Sequence, residues 1–446
     1  MFVKIFFNLS FVTILFIFLV LKAFLLDFCD MNKYFISLLF LFTTVFGGKS
    51  QDLGYAREVI SSLCSDEMAG RGYVEDGDAA TADYIKKQFE LLNVQAFDYN
   101  YFQDFEFPVN TFPGTMELFM DGRKLVPGLH YIIDPASTGK SGDLKVLHLD
   151  SLGWDTLLSK QVKMYHVAAY SKMPVSSDKK FNERVSKVAF ALFPMVVWVK
   201  PKLTWSVADY VLPGIQIDLV DSVAKDVPLK FRYTFESKFI KKHRTQNVLG
   251  LIHGTNDKEN YLVFTAHYDH LGKMGKETIF RGANDNASGI SMLLQMAKYF
   301  AENKPKCNVV FIAFAGEEAG LKGSEYYVQN PVFPLKSIKC LVNLDLLGTG
   351  EEGITVVNAT EFPSLFEKLE KVNSENNYVA QIKKRGKAAN SDHYYFSENG
   401  VPAFFIYTMG GIKAYHDVLD KPETLPLTDY TDVFKLLRDF AVKISQ

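Results

Sequence analysis

The rhythm of apolar positions changes along the chain, and each change predicts a different kind of element. Residues 2–28 are almost continuously apolar. Between 54 and 93, LGYAREVISSLCS and AATADYIKKQFELLN repeat apolar residues at three- and four-residue spacing, which predicts helix. The connecting DEMAGRGYVEDGDA, rich in Gly and Asp, reads as a loop. From Phe97 to about Phe235 the apolar runs are short and β-like (TMELFM, LKVLHL, VAFAL, MVVWV, PGIQIDLV), broken by Gly, Pro, Asp and Ser. This predicts a separate, mostly β segment. Beyond Asn247, apolar strands alternate with amphipathic helices, the signature of an α/β sheet. Strands are predicted at 261–266, 308–316, 338–348 and 402–408, and helices at 290–303, 361–375 and 431–445. The expected organisation is a targeting segment at 1–50, the first part of an α/β domain at 51–110, a β-rich insert at 111–225, and the rest of the α/β domain at 226–446.

The apolar start contains a second beginning. Met31 opens MNKYFISLLFLFTTVFGGKSQ, in which Lys33 supplies a positive flank, Phe35 to Phe46 an apolar stretch, and Gly48 and Ser50 a small-x-small cleavage pattern before Gln51. That is a secretory signal peptide in form, so the body is expected to be exported. Residues 1–30 then read as upstream translation or an additional membrane anchor. Leu26-Asp27-Phe28 lacks the small residues that lipidation of Cys29 requires, and a soluble product beginning near Gln51 is expected.

Composition narrows the classes. A chain of 446 residues, 48% hydrophobic and 22% charged, has ample material for packed cores and is not a disordered polymer. Lys+Arg 49 against Asp+Glu 51 gives a formal charge of -2, so no basic field exists for a polyanion, which argues against nucleic acid. Four cysteines are too few for a disulfide-stapled scaffold, and Cys64, Cys307 and Cys340 are expected as buried packing residues.

Candidate chemistry gathers where apolar strands run out. In an open α/β sheet the loops beyond the strand carboxyl ends bring together side chains from distant segments. Strand 261–266 ends in His267-Tyr268-Asp269, and strict alternation would turn His267 and Asp269 the same way, the carboxylate fixing the imidazole tautomer. RGANDNASG (281–289) precedes an amphipathic helix; Asp285 or Asn286 could simply cap it. NVVFIAFAG delivers adjacent Glu317 and Glu318, whose side chains diverge, so one can bind a metal while the other faces a water. Asp345 follows Val342-Asn343-Leu344 and is embedded in apolar sequence, where an unpaired carboxylate is costly and needs a cation or a donor. Tyr415-His416-Asp417 lies in a polar loop before the last helix. Two histidines with several carboxylates at strand ends suit a pair of divalent metals.

The chain resembles metallopeptidase family M28, the co-catalytic zinc aminopeptidases. The resemblance rests on MAGRG, NVLG, TAHYDHLG, RGANDNASG, FAGEEAGLKGSEYY, LVNLDLLG, SDHYYF and YHDVLDKPETL, in the family's order. It implies a central mixed sheet flanked by helices and two zinc ions: His267 and Asp345 on one, Glu318 and His416 on the other, and Asp285 bridging. Glu317 takes the place of the general base, Asp269 that of the partner of His267, and Tyr415 that of an oxyanion-stabilising tyrosine. Other relatives carry that tyrosine upstream of the Ser-Asp-His block, where this chain has Ala388. The implied substrates are peptides with a free N-terminus. The insert occupies the place of a protease-associated domain, VLPGIQID resembling its end, and would be a lid or specificity module. His270 is expected as a packed or surface residue, and Ser391, Asp392 and His393 as pocket wall. Two other readings keep part of this picture: a glutaminyl-cyclase-like enzyme with a single zinc, and an inactive binding ectodomain. The first needs fewer ligands than the chain offers, and the second usually lacks ligands or the base.

Overall fold

The long apolar runs of the second half assemble into one eight-stranded mixed sheet. In the computed structural model, which describes residues 53–97, 100–160, 163–256 and 260–445, its order is Phe102–Thr111, Lys238–Ile252, Asn308–Phe314, Tyr261–His267, Ile338–Leu344, Ala403–Thr408, Ile354–Val357 and Ile382–Lys384. The four strands 308–314, 261–267, 338–344 and 403–408 run parallel, and 238–252 and 354–357 pair antiparallel on either side of them. Parallel strands buried on both faces need no polar alternation, so their sequences read as continuous apolar runs. The two-residue period still divides each run between layers. Leu262, Phe264, Phe311 and Val342 pack with Ile290, Leu293, Leu294 and Ala297 of helix Ser288–Glu302. Val263, Val310, Ile312 and Leu341 pack on the other side with Tyr327 and Phe396. Helices Leu53–Leu63, Gly77–Leu91, Pro363–Asn376 and Tyr430–Ser445 complete the layer on the first side.

The segment between the two parts of this sheet holds more strand than helix, as expected, but carries two helices that its sequence texture did not predict. It forms a second eight-stranded sheet in which 141–148, 167–172, 195–200 and 215–220 are parallel, with helices Ser151–Lys160 and Lys179–Leu192 in the crossovers. VAFAL, expected as strand, is the last part of the second helix. Five apolar residues alone carry no period; with NERVSK before them, Val185, Ala189 and Leu192 recur at helical spacing and are the buried positions, and Asp178 caps the start by accepting from the Lys180 N–H at 2.9 Å. Strand Lys230–Phe235 also belongs to the second sheet, pairing with 116–120 and 141–148, so that sheet continues past residue 225. The expected signal peptide lies outside the described residues. Among the described residues no helix is long and apolar enough to cross a membrane, and Cys64, Cys307 and Cys340 are buried free thiols.

Candidate metal centre

The strands of the parallel core run out toward ionisable side chains. His267 is the last residue of its strand, and Asp345 follows Leu344 directly. Glu317 and Glu318 come just after strand 308–314, through a turn at Gly316 with φ +69°, a left-handed conformation that disfavours a side chain. Asp285 precedes helix 288–302, and His416 lies beyond strand 403–408. The helix cap and the candidate ligand separate cleanly: Asn286 accepts from the Gly289 N–H at 2.9 Å and donates to Leu344 O at 3.0 Å, leaving Asp285 to face the strand ends.

These residues line one cavity of about 230 Å³. His267 Nε2 lies 3.4 Å from Asp285 Oδ1 and 3.4 Å from Asp345 Oδ1. His416 Nε2 lies 3.0 Å from Asp285 Oδ2 and 3.2 Å from Glu318 Oε2. Asp285 therefore offers one oxygen to each imidazole. Glu317 also lies within ligand distance of His267 and Asp345. Tyr415 lines the cavity and stacks on His416, ring centroids 4.0 Å apart at 13°.

The two imidazoles are aimed by backbone carbonyls. His267 Nδ1 is 3.1 Å from Asp269 O, and His416 Nδ1 is 2.9 Å from Trp205 O. A carbonyl only accepts, so each Nδ1 carries a proton and each Nε2 is presented to the carboxylates. Asp269 thus does not hold His267 through its carboxylate, which is 3.9 Å from Nδ1. The strand stops at His267, strict alternation ends there, and the Asp269 side chain turns to other donors: Tyr73 Oη at 2.5 Å and the N–H groups of Glu317 and Glu318 at 3.1 and 3.2 Å. It braces the Glu317-Glu318 turn.

Burial opposes charge on every group here, and the neighbours decide the outcome. It would raise Asp285, but hydrogen bonds from His267 and His416 hold that carboxyl well below its ordinary range. Burial likewise works against Glu318, yet the His416 charge draws it down to about 2. For the imidazoles burial favours the neutral form; Glu317 and Asp345 outweigh it for His267, and Glu318 with Asp285 lifts His416 to about 11. Glu317 is pushed well above the usual range, chiefly by burial, with the charges of Asp392 and Glu318 adding to it. A cluster this acidic requires positive charge.

One atom identifies the form that charge takes. Asp345 Oδ1 is buried with no hydrogen-bond donor, while Oδ2 accepts from Ser391 Oγ at 3.1 Å. A buried carboxylate oxygen without a hydrogen-bond donor, facing an imidazole nitrogen, fits the situation of a metal ligand. The mixed imidazole and carboxylate donors suit zinc and equally accept other divalent metals such as manganese or cobalt.

Supporting residues surround the ligands. Thr265, Asn343 and Ser391 form a hydrogen-bonded chain that ends on Asp345. Ser391, Asp392 and His393 are fully buried and absent from the cavity lining, so they sit beneath the wall; Asn390 is the lining residue of that stretch. His270, expected as a packed or surface residue, is buried with its Nδ1 2.8 Å from Glu318 Oε1, and with Asp285 and Glu318 it forms a group close enough to hold a metal ion. Asp420 accepts from the N–H groups of Asn284 and Asp285 at 2.8 and 3.0 Å. Arg71 is buried and donates to Leu63 O, Tyr268 O, Arg281 O, Gly282 O and Asp285 O, so it clamps the loop that carries Asp285.

The individual roles of Arg71, Asp420 and Trp205 were not read from the sequence. MAGRG and YHDVLDKPETL flagged the first two as motif members, but Trp205 acts through a carbonyl, which no side-chain pattern reveals. The lining residues of the cavity are His267, Asp285, Glu317, Glu318, Asp345, Leu346, Arg385, Asn390, Phe405, Tyr407, Tyr415 and His416. None belongs to 111–225, which reaches this site through Trp205 on His416 and Lys202 on Tyr415 O and Asp417.

Residues 247–441 match the family model of Peptidase family M28. A probable zinc metalloprotease of Pyrenophora teres is 35% identical over 112 residues, 24% of this chain and 24% of that protein. Aminopeptidase YwaD of Bacillus subtilis is 36% identical over 121 residues, 27% of this chain and 25% of that protein. The chain thus aligns with about a quarter of the length of these curated relatives. Among solved structures, a Bacillus subtilis zinc aminopeptidase superposes with TM-score 0.65 at 20% identity, over 86% of this chain and 94% of its own. An M28 peptidase precursor of Shewanella amazonensis gives 0.67 at 14% identity, over 89% and 94%. These two likenesses bear on the fold.

Proposed function

Residues 247–441 belong to peptidase family M28, and from that premise we propose that this protein is an exported dinuclear zinc aminopeptidase. The observation that carries the reading is Asp285, whose two oxygens face two separate sets, His267 with Asp345 and His416 with Glu318. His267, Asp345 and Asp285 would hold one ion, and His416, Glu318 and Asp285 the other. Bound zinc supplies Lewis acidity that polarises the scissile carbonyl and acidifies water. The chain's own residues do the rest. Glu317, buried at the cavity wall, takes the proton of the attacking water and delivers it to the leaving amine. Asp269, through the Glu317 and Glu318 N–H groups, holds the base and the neighbouring ligand in one geometry. Tyr415, on the cavity wall, would donate to the oxyanion. The acidic lining complements the α-ammonium of a peptide's first residue, which favours an aminopeptidase over an endopeptidase.

The presence of both ligand sets favours this reading over a single-zinc cyclase. The inserted segment we read as a protease-associated-like module, on its place in the chain and VLPGIQID; its link to chemistry is Trp205 O, which orients His416. Elemental analysis of residues 51–446 is expected to find near two zinc per chain, with chelation abolishing release of p-nitroaniline from aminoacyl-p-nitroanilides and N-blocked substrates left intact. One zinc with cyclisation of N-terminal Gln would replace the reading with the cyclase; no metal and no turnover would replace it with a binding protein.

Export is inferred from MNKYFISLLFLFTTVFGGKSQ. Mass spectrometry of the protein recovered from its native host is expected to give an N-terminus at Gln51. Material that retains residues 31–50 would remove the signal-peptide reading.

A further inference from the structure

The cavity wall carries one feature that metal-assisted hydrolysis does not use. Arg385 lines the same cavity as the ligands, and its side chain is exposed. Its neighbours in sequence are engaged elsewhere: Lys384 lies over the Phe366 ring and Lys387 pairs with Glu398. Arg385 makes no ion pair among the described residues; its recorded side-chain partner is the Tyr407 hydroxyl, which accepts from Nη1 at 3.2 Å. The guanidinium sits on a firm base. Its backbone N–H bonds Val356 O at 3.0 Å, beside strand 382–384, and Tyr407 lies two residues from Phe405 on strand 403–408, so both face the cavity. A guanidinium has five N–H donors in a planar fork, and one bond to a neutral hydroxyl leaves most of them free.

We propose that Arg385, steadied by Tyr407, is a clamp for a substrate carboxylate, so that the preferred substrates are short peptides or peptides that carry a negative charge near the cleaved bond. This rests on the peptide-hydrolase reading and narrows it. The cavity is dipolar, with Asp285, Glu317, Glu318 and Asp345 complementary to an α-ammonium and Arg385 complementary to an anion. A planar guanidinium binds both oxygens of a carboxylate at once, which gives orientation as well as affinity. The carboxylate has two sources, the C-terminus of a dipeptide or tripeptide and the side chain of an acidic residue.

The zinc-loaded full-length mature protein, Arg385→Ala, Arg385→Lys and Arg385→Glu are compared in two arms. The first sets Leu-Ala against Leu-Ala-amide, and the second Glu-Ala-amide against Gln-Ala-amide. Wild type is expected to favour the carboxylate partner in at least one arm by about tenfold in kcat/KM, mainly through KM, as expected for a charge-assisted contact. Arg385→Ala should bring that ratio to near one, Arg385→Lys should restore part of it, and Arg385→Glu should invert it. The arm that responds names the source. Calorimetric titration with alanine, the carboxylate product of Leu-Ala, against alaninamide provides a binding readout apart from turnover, and thermal unfolding checks that the variants fold. Ratios in both arms that are the same in wild type and Arg385→Ala overturn the clamp and leave the hydrolase standing. Absence of hydrolysis of all four peptides by the zinc-loaded wild type overturns both.

Discussion

Replacing Glu317 by Gln is expected to leave zinc content unchanged and to lower kcat by about 10²–10⁴-fold, the range that a positioned proton-transfer group contributes. Gln keeps the size of the side chain, and its amide cannot take a proton from water. The choice of this residue as base, and of its neighbour as ligand, rests on geometry. Glu318 Oε2 lies 3.2 Å from His416 Nε2 and its other oxygen 2.8 Å from His270, so it is held on both sides. Glu317 is near enough to His267 and Asp345 to compete with Asp285 as a ligand, which gives the experiment a second edge. If Glu317 were a ligand, the variant would bind about one zinc fewer. If it were neither, turnover would match wild type. Glu318→Gln is the control, expected to lose metal along with activity. Metal analysis and single-turnover hydrolysis on the same preparations separate these cases.

Arg71→Met is expected to destabilise the protein by more than about 4 kcal/mol in urea unfolding, because several buried carbonyls lose their donor at once. The Arg71 nitrogens satisfy Leu63 O, Tyr268 O, Arg281 O, Gly282 O and Asp285 O, and no other side chain has that number of donors in a fixed plane. Three of those acceptors belong to the loop of Asp285, so zinc should also be captured faster by a competing chelator. Arg71→Lys keeps the charge but offers three donors on a flexible stem, and is expected to recover only part of the loss. A cost below about 1 kcal/mol for Arg71→Met would show that the 281–285 loop holds its shape without the clamp.

The parallel core was legible because burial on both faces removes polar positions. NVVFIAF and YLVFTAH announce themselves, and every predicted strand and helix from 261 onward is present with ends shifted by a few residues. In the insert TMELFM, LKVLHL, MVVWV and PGIQIDLV fall on strands as predicted, whereas the helices went unread. Its strands are short, and its helices, at 151–160 and 179–192, are weakly amphipathic or masked by apolar ends such as VAFAL.

What the sequence determined by itself is the set of ionisable residues at strand ends: His267, Asp285, Glu317, Glu318, Asp345 and His416 all follow or precede apolar runs, and each reaches one cavity. That follows from a local rule, since a parallel strand must end in a loop on the same side of the sheet as its neighbours. What only the tertiary structure decided is how those groups are aimed. Asp269 turned from the imidazole to two backbone N–H groups, Trp205 supplied a carbonyl to His416 from the loop between strands 195–200 and 215–220, and Arg71 reached five carbonyls between Leu63 and Asp285. Backbone acceptors are identical at every residue, so no side-chain pattern marks which of them will be used; that choice is made when distant segments pack and each buried polar group must find a partner.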